Sequence, residues 1–218
     1  EAYYSLVQSG PNALFGHYNA GKRILKDGDM LLFDFAPDVG YYMSDVTRVW
    51  PVNGKFSSSQ RELYNFYLAC YKAILRAIRP GATAQTIKKE IAGEMEIILS
   101  KVKWSKTLYE EAAKQFVMSY KNSAANPGTT MGHWTGMATH DVGTSIGPLK
   151  PGMVFTIEPS LVVREENINI RLEDLIIITE SGKEVPSDFI PMEIEEIEKL
   201  MKEEGMLQRY PADNGKGR

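Results

Sequence analysis

Cysteine is nearly absent from this chain: of 218 residues only Cys70 carries a thiol, so no internal disulfide can form. Cys70 lies among Leu63, Phe66, Tyr67, Ile74 and Ile78 at helical spacing, which assigns it to a buried apolar stripe. Long apolar runs are also missing. The longest, Met30–Phe33 and Leu175–Ile178, fall far short of the roughly 18–20 residues that span a bilayer, so no membrane association is expected. No secretory signal is visible, and with the solitary thiol this favours a cytoplasmic location. An excess of basic residues is lacking too. Lys and Arg number 25 against 28 Asp and Glu, for a net charge of −3, and no basic stripe is interleaved with aromatics, so a nucleic-acid partner is not expected.

What remains has the balance of one globular domain, with 43% hydrophobic and 24% charged residues. The spacing predicts strands at Met30–Ala36 and through Tyr41–Trp50, the latter stopped by Pro51. Ser59 and Glu62 read as a capping box before a long helix that ends near Pro80-Gly81. Thr83 caps a second helix with Ile87, Ile91, Met95 and Ile98 on one face, and a third covers Leu108–Val117. Further strands are expected at Met153–Ile157, Leu161–Val163 and Leu172–Thr179, then an acidic, solvated helix over Glu193–Glu204. The polar tail after Pro211 is expected to be mobile.

An internal repeat organises these elements. Leu25-Lys26-Asp27-Gly28 matches Leu149-Lys150-Pro151-Gly152, and each leads into a strand that ends in a carboxylate, Asp34 and then Glu158, 124 residues later. Another acid follows each on an extended segment, Asp45 and Glu173. Such a repeat places two related lobes around one site.

These acids sit in uncomfortable company. Phe33-Asp34-Phe35, Ile157-Glu158-Pro159 and Leu172-Glu173-Asp174-Leu175 each set a carboxylate among apolar residues, where an unpaired charge costs several kcal/mol. A single such acid is commonly salt-bridged; several in one chain, two of them related by the repeat, favour a shared cation. Histidine is scarce, and His17, His133 and His140 all lie in glycine-rich loop context, the last two in the paired strings His133-Trp134-Thr135-Gly136 and His140-Asp141-Val142-Gly143.

The string Asp34-Phe35-Ala36-Pro37-Asp38-Val39-Gly40-Tyr41-Tyr42-Met43-Ser44-Asp45-Val46-Thr47-Arg48 resembles the first metal motif of the pita-bread metallopeptidases. The continuation Pro51-Val52-Asn53-Gly54-Lys55-Phe56 is similar to Xaa-Pro aminopeptidases and prolidases. Gly132-His133-Trp134 with His140-Asp141-Val142-Gly143 resembles their histidine motif. Gly152–Pro159 and Ile170–Asp174 resemble their two glutamate motifs, and the matches run in order over residues 17–180.

The resemblance implies an α+β, pita-bread catalytic domain over residues 1–218, with two pseudo-symmetric lobes and a curved, mostly antiparallel sheet covered by helices. It implies metal ligands Asp34, Asp45, His133, Glu158 and Glu173 for two divalent ions. Four carboxylates suit Mn²⁺ better than a thiolate site would, with Co²⁺, Fe²⁺ and Zn²⁺ as alternatives. Glu158 is implied as the proton shuttle to the leaving amine. His140 and His17 are implied as catalytic and substrate-binding groups facing the scissile carbonyl, and Arg171 as a pocket charge. The substrate implied is a peptide, and the arrangement leaves room for a homodimer. A creatinase-like amidinohydrolase and a catalytically silent peptide-binding module share the fold, but the intact ligand set argues against both.

Two departures stand out. Thr129 occupies the position, four before the ligand histidine, where proline-directed members carry another histidine, which puts the substrate preference in doubt. The 124-residue offset also places the first lobe's counterpart helices before residue 1, in a stretch of roughly 65 residues, so the domain is expected to lack its first two helices and any N-terminal domain. The outer face of the first lobe's sheet would then show apolar side chains.

Overall fold

The computed structural model describes residues 2–143 and 147–210, so the tail after Pro211 lies outside the described residues. The first lobe is an antiparallel sheet of β1 (Leu6–Ser9), β2 (Met30–Phe35) and β5 (Val46–Pro51), with β2 in the centre. Alternation along β2 buries Met30, Leu32 and Asp34 and leaves Leu31, Phe33 and Phe35 half-exposed on the other face, where the two phenylalanine rings stack 5.0 Å apart. The second lobe is likewise a three-stranded antiparallel sheet, of β6 (Val154–Ile157), β9 (Asp174–Ile178) and β10 (Lys183–Glu184) in the order β10-β9-β6, so that here β9 rather than β6 is central. The turns that open β2 and β6 are equivalent. Asp29 N–H donates to Lys26 O at 3.0 Å and Met153 N–H to Lys150 O at 3.2 Å. Gly28 (φ 81°) and Gly152 (φ 87°) take the left-handed position that this turn reserves for glycine.

Between β2 and β5, the hairpin of β3 (Asp38–Val39) and β4 (Tyr42–Met43) turns through Gly40 and Tyr41, both at positive φ. Between β6 and β9 lies a second hairpin, β7 (Ser160–Val163) and β8 (Ile168–Arg171). The expected strand Leu172–Thr179 is β9, which starts two residues later, whereas β8 is not marked in the sequence pattern; between Arg171 and Asp174 the chain changes sheets. Leu172 N–H donates to the Tyr67 hydroxyl at 2.8 Å, and Glu173 forms a bridge with Thr47 of the first lobe. The site acid Glu173 thus occupies the crossover itself.

Helix α1 (Ser58–Ala77) begins two residues before the expected capping box. Ser57 and Gln60 make the reciprocal bonds, at 3.2 and 2.8 Å, and Glu62 instead accepts from Ser105 N–H. Thr83 caps α2 (Ala84–Ser100) as the sequence predicts. Helix α3 (Thr107–Ala125) runs eight residues beyond Val117, because its second half is mostly exposed and carries a weak apolar stripe. The acidic helix is shorter than expected, α4 (Ile194–Leu200), and not merely solvated: Ile194 and Ile197 are buried in the core. A last turn, α5, spans Met206–Arg209.

The main core gathers α1, α2 and α3 with strands of both lobes, and Cys70 within it is fully buried, its thiol pushed up to about 12 by burial. One stripe of α1, Tyr64, Tyr67 and Tyr71, is buried with every hydroxyl bonded. Tyr64 donates to Met192 O, Tyr67 to Pro159 O at 2.7 Å, and Tyr71 to Asp174 Oδ2 at 2.6 Å. Two of the three bonds fall on residues adjacent to Glu158 and Glu173, so this stripe fixes the backbone that carries those acids. Among the described residues no helix is long and apolar enough to cross a membrane.

Candidate metal centre

Five elements deliver charge to one cavity of about 520 Å³ between the lobes. Asp34 comes from β2, and Asp45 from the residue before β5. His133 comes from the loop ahead of β6, Glu158 from the end of β6, and Glu173 from the crossover between β8 and β9. His17, His140 and Arg171 line the same cavity, the two histidines as exposed side chains.

The loop bearing His133 is pinned to both lobes. Thr156 N–H donates to His133 O at 2.9 Å, and Met43 N–H, at the end of the β3–β4 hairpin, donates to Gly136 O at 2.8 Å. Gly132 is required by proximity: a Cβ there would lie 1.8 Å from Thr156 O. His133 Nδ1 faces Trp134 O at 3.2 Å, which selects the tautomer with its proton on Nδ1 and leaves the Nε2 lone pair for the site. Nε2 lies 3.4 Å from Asp45 Oδ2, 3.5 Å from Glu158 Oε1 and 3.8 Å from Glu173 Oε1. The ring of His140 sits 4.0 Å from that of His133, centroid to centroid.

Arg171 is wedged among the acids rather than lining a distant wall. Its guanidinium pairs with Asp34, lies 3.5 Å from Glu158 Oε2 and 4.0 Å from Glu173 Oε2, and donates to Thr47 Oγ1 at 3.1 Å. Thr47 in turn donates to Glu173 Oε2 at 2.8 Å. The Tyr3 hydroxyl bridges Asp34 Oδ1 and Asp45 Oδ1. Neither Tyr3 nor Thr47 was singled out by the sequence reading, since a lone tyrosine or threonine carries no mark of a site until the fold brings it to two carboxylates. One residue behind Glu173, Arg48 makes a buried ion pair with Asp174 at 2.6 Å and donates to Glu173 O at 2.9 Å.

The electrostatics are those of buried carboxylates crowded together. Burial raises the pKa of Glu173 well above the carboxylate range, and the neighbouring charges of Glu158 and Asp45 raise it further. Burial likewise lifts Glu158 and Asp34, although Arg171 opposes both shifts. For His133 burial opposes protonation, but the hydrogen bond to Asp45 and the charges of Glu158 and Asp45 outweigh it and raise the pKa. Glu173 Oε1 is buried with no hydrogen-bond donor. Asp45, His133 and Glu173 each offer a ligand atom within 4.8 Å of one another. Even with Arg171 present, four carboxylates leave an excess of negative charge that divalent ions neutralise, so the residues fit the group the fold implies.

Two antiparallel half-sheets related by an internal repeat, helices packed against them and an acid–histidine cluster at their junction define a pita-bread metallohydrolase fold. Residues 1–180 match metallopeptidase family M24, and the chain belongs to that family. It is 34% identical over 218 residues to an Xaa-Pro aminopeptidase of Haemophilus influenzae, covering 92% of this chain and 48% of the relative. It is 37% identical to mitochondrial intermediate cleaving peptidase 55 of Arabidopsis thaliana, covering 92% of this chain and 40% of that protein. Among solved structures, a variant of Escherichia coli aminopeptidase P in complex with substrate aligns at TM-score 0.73 and 32% identity, over 92% of this chain and 47% of that one. Proline aminopeptidase P II from Yersinia pestis aligns at TM-score 0.73 and 31% identity, over 92% and 48%. The chain spans about half the length of the curated relatives it matches.

Proposed function

We propose that this chain is the catalytic portion of a two-metal peptidase that cleaves Xaa-Pro bonds, in the manner of an aminopeptidase P or a prolidase. The observation that carries the reading is the grouping of Asp45, His133 and Glu173 with Asp34 and Glu158 around one cavity, in a chain similar to Xaa-Pro aminopeptidases. Asp34, Asp45, His133, Glu158 and Glu173 would hold two divalent ions, Mn²⁺ by the predominance of oxygen donors. When bound, such ions activate water and polarise the scissile carbonyl.

The remaining steps belong to side chains. Glu158, half-exposed to the cavity and raised in pKa by burial, takes the proton of the attacking water and returns it to the leaving amine. His140, beside His133, and His17, which lines the same cavity, donate to the carbonyl oxygen as charge develops on it. Arg171 and Tyr3 hold Asp34, so that its orientation is set before substrate enters. The apolar part of the cavity wall, with Leu6, gives the peptide a dry surface. The single buried thiol suits a reducing, cytoplasmic setting.

The test is hydrolysis of Ala-Pro dipeptides and longer Ala-Pro peptides by protein prepared with added Mn²⁺, alongside metal analysis. Turnover that chelation abolishes and Mn²⁺ restores supports the reading. A fully metallated protein that cleaves none of these peptides sinks it.

A further inference from the structure

Beyond the metal centre lies a second cavity of about 330 Å³, and Glu158 lines both. Lys88 of α2 and Tyr120 and Ser123 of α3 line it, with Met131, Pro159 and Ser160 near the loop and strand ends. Lys88 is half-buried, and its Nζ donates to Ser123 Oγ at 2.8 Å and Thr129 Oγ1 at 3.0 Å. The two hydroxyls bond each other at 2.7 Å, and the Tyr120 ring lies 5.9 Å from Nζ. The ammonium is therefore held in place, with one of its three N–H donors left over.

Among the described residues no carboxylate pairs with Lys88. Among the described residues that line this cavity, Glu158 is the one charged group besides Lys88, and it makes no ion pair with it. Burial disfavours the charged form of Lys88, and nothing charged offsets that. A fixed cation on a cavity wall with no ion-pair partner is an arrangement that an anionic ligand group completes. In a peptide the N-terminus is cationic, and the group of opposite charge is the C-terminal carboxylate.

We propose that Lys88 anchors the free C-terminal carboxylate of a short peptide in this second cavity, and so selects di- and tripeptides over chains that continue past it. The inference rests on the peptidase reading above and adds the substrate class. It also gives Thr129 a role in this chain: the small hydroxyl leaves room for the ammonium and fixes it.

The experiment compares a free-acid Xaa-Pro dipeptide with its C-terminal amide on the metallated protein, wild type, Lys88→Met and Lys88→Arg. A hydrogen bond between two charged groups is worth about tenfold to a hundredfold in affinity. In the wild type the KM of the acid should lie at least about tenfold below that of the amide. In Lys88→Met, which keeps the alkyl stem, the two KM values should converge, and Lys88→Arg should keep the preference. A wild type without acid preference, or a preference that survives Lys88→Met, overturns the proposal. If the wild type cleaves neither compound, calorimetric titration with proline and prolinamide decides this site alone, and the peptidase reading stands or falls separately on the longer Ala-Pro peptides. Tighter binding of proline by the wild type but not by Lys88→Met supports it; equal binding, or none, overturns it.

Discussion

Arg48 on β5 and Asp174 on β9 form an ion pair of 2.6 Å with side chains 1% and 0% exposed, tying the two lobes together one residue behind Glu173. Asp174 accepts from Ser187 and Tyr71 as well, and Arg48 also donates to Thr47 O, Glu173 O and Ser187 O. Breaking such a pair leaves a charge buried without its partner. Arg48→Met should therefore destabilise the metal-free protein by about 3–5 kcal/mol in urea denaturation and weaken metal binding through Glu173. A loss under about 1 kcal/mol would show that the pair does not hold the junction.

The second prediction concerns the proton path. Glu158→Gln removes a carboxylate that faces His133 Nε2 at 3.5 Å and should reduce kcat on Ala-Pro peptides by about 10²–10⁴-fold with the fold retained. His140→Ala should lower kcat while leaving metal content unchanged, because the ring lines the cavity beside His133 without belonging to the acid cluster. Stopped assays on variants of verified metal content and unchanged circular dichroism check both. Wild-type kcat in metallated Glu158→Gln would remove Glu158 from the proton path.

How much of this was readable without coordinates depends on how local each cause is. The matched turns ending in Gly28 and Gly152 were legible because the left-handed residue and its i→i+3 bond are properties of four residues. Asp34 stood out because Phe33 and Phe35 flank it on a strand, and the structure indeed buries it on the opposite face from those rings. The capping box was misplaced by two residues because Ser57 with Gln60 and Ser59 with Glu62 satisfy the same local pattern, and what takes Glu62 away, the backbone N–H of Ser105, lies 43 residues along the chain. The crossover at Leu172-Glu173 was invisible, since its cause, the Tyr67 hydroxyl, lies 105 residues away in sequence. Tyr3, the buttress of Asp34 and Asp45, fails to show for the same reason.

Substrate preference supplies a third prediction. Thr129 is 6% exposed and its hydroxyl bonds Lys88 and Ser123, and it is absent from the lining of the main cavity. The chain therefore lacks an imidazole at the position where proline-directed relatives are expected to carry one, and discrimination by the remaining apolar contacts is modest. Apolar contacts of this kind separate similar side chains by about 10–200-fold. The ratio of kcat/KM for Ala-Pro over Ala-Ala peptides should fall at or below the lower end of that range. A ratio well above a hundredfold would show that Thr129 does not relax the preference for proline.

Removal of metal gives the last prediction, with its sign set by the acid cluster. Glu173, Glu158 and Asp34 all have folded-state pKa values raised, first by burial, so the folded apoprotein binds more protons than the unfolded chain above the usual carboxylate range. Stability then falls as pH rises through that interval, because the slope of unfolding free energy with pH follows the unfolded-minus-folded proton count. His133 acts in the same sense: its raised pKa contributes stability below about pH 6.5 that is lost as pH rises through the folded value. Exposed acids paired with basic groups, such as Glu90 with Arg79 and Glu166 with Lys106, are lowered and act oppositely, but their effect is confined to pH below about 4.5. Between about pH 5 and 7 the chelated protein should therefore gain thermal stability on acidification. Divalent ions reverse the trend, since they compete with protons for the same oxygens and bind better at the higher pH. Differential scanning fluorimetry of chelated and Mn²⁺-loaded protein over this range checks both slopes. A chelated protein whose Tm rises with pH would mean that these carboxylates are not held together in the folded state.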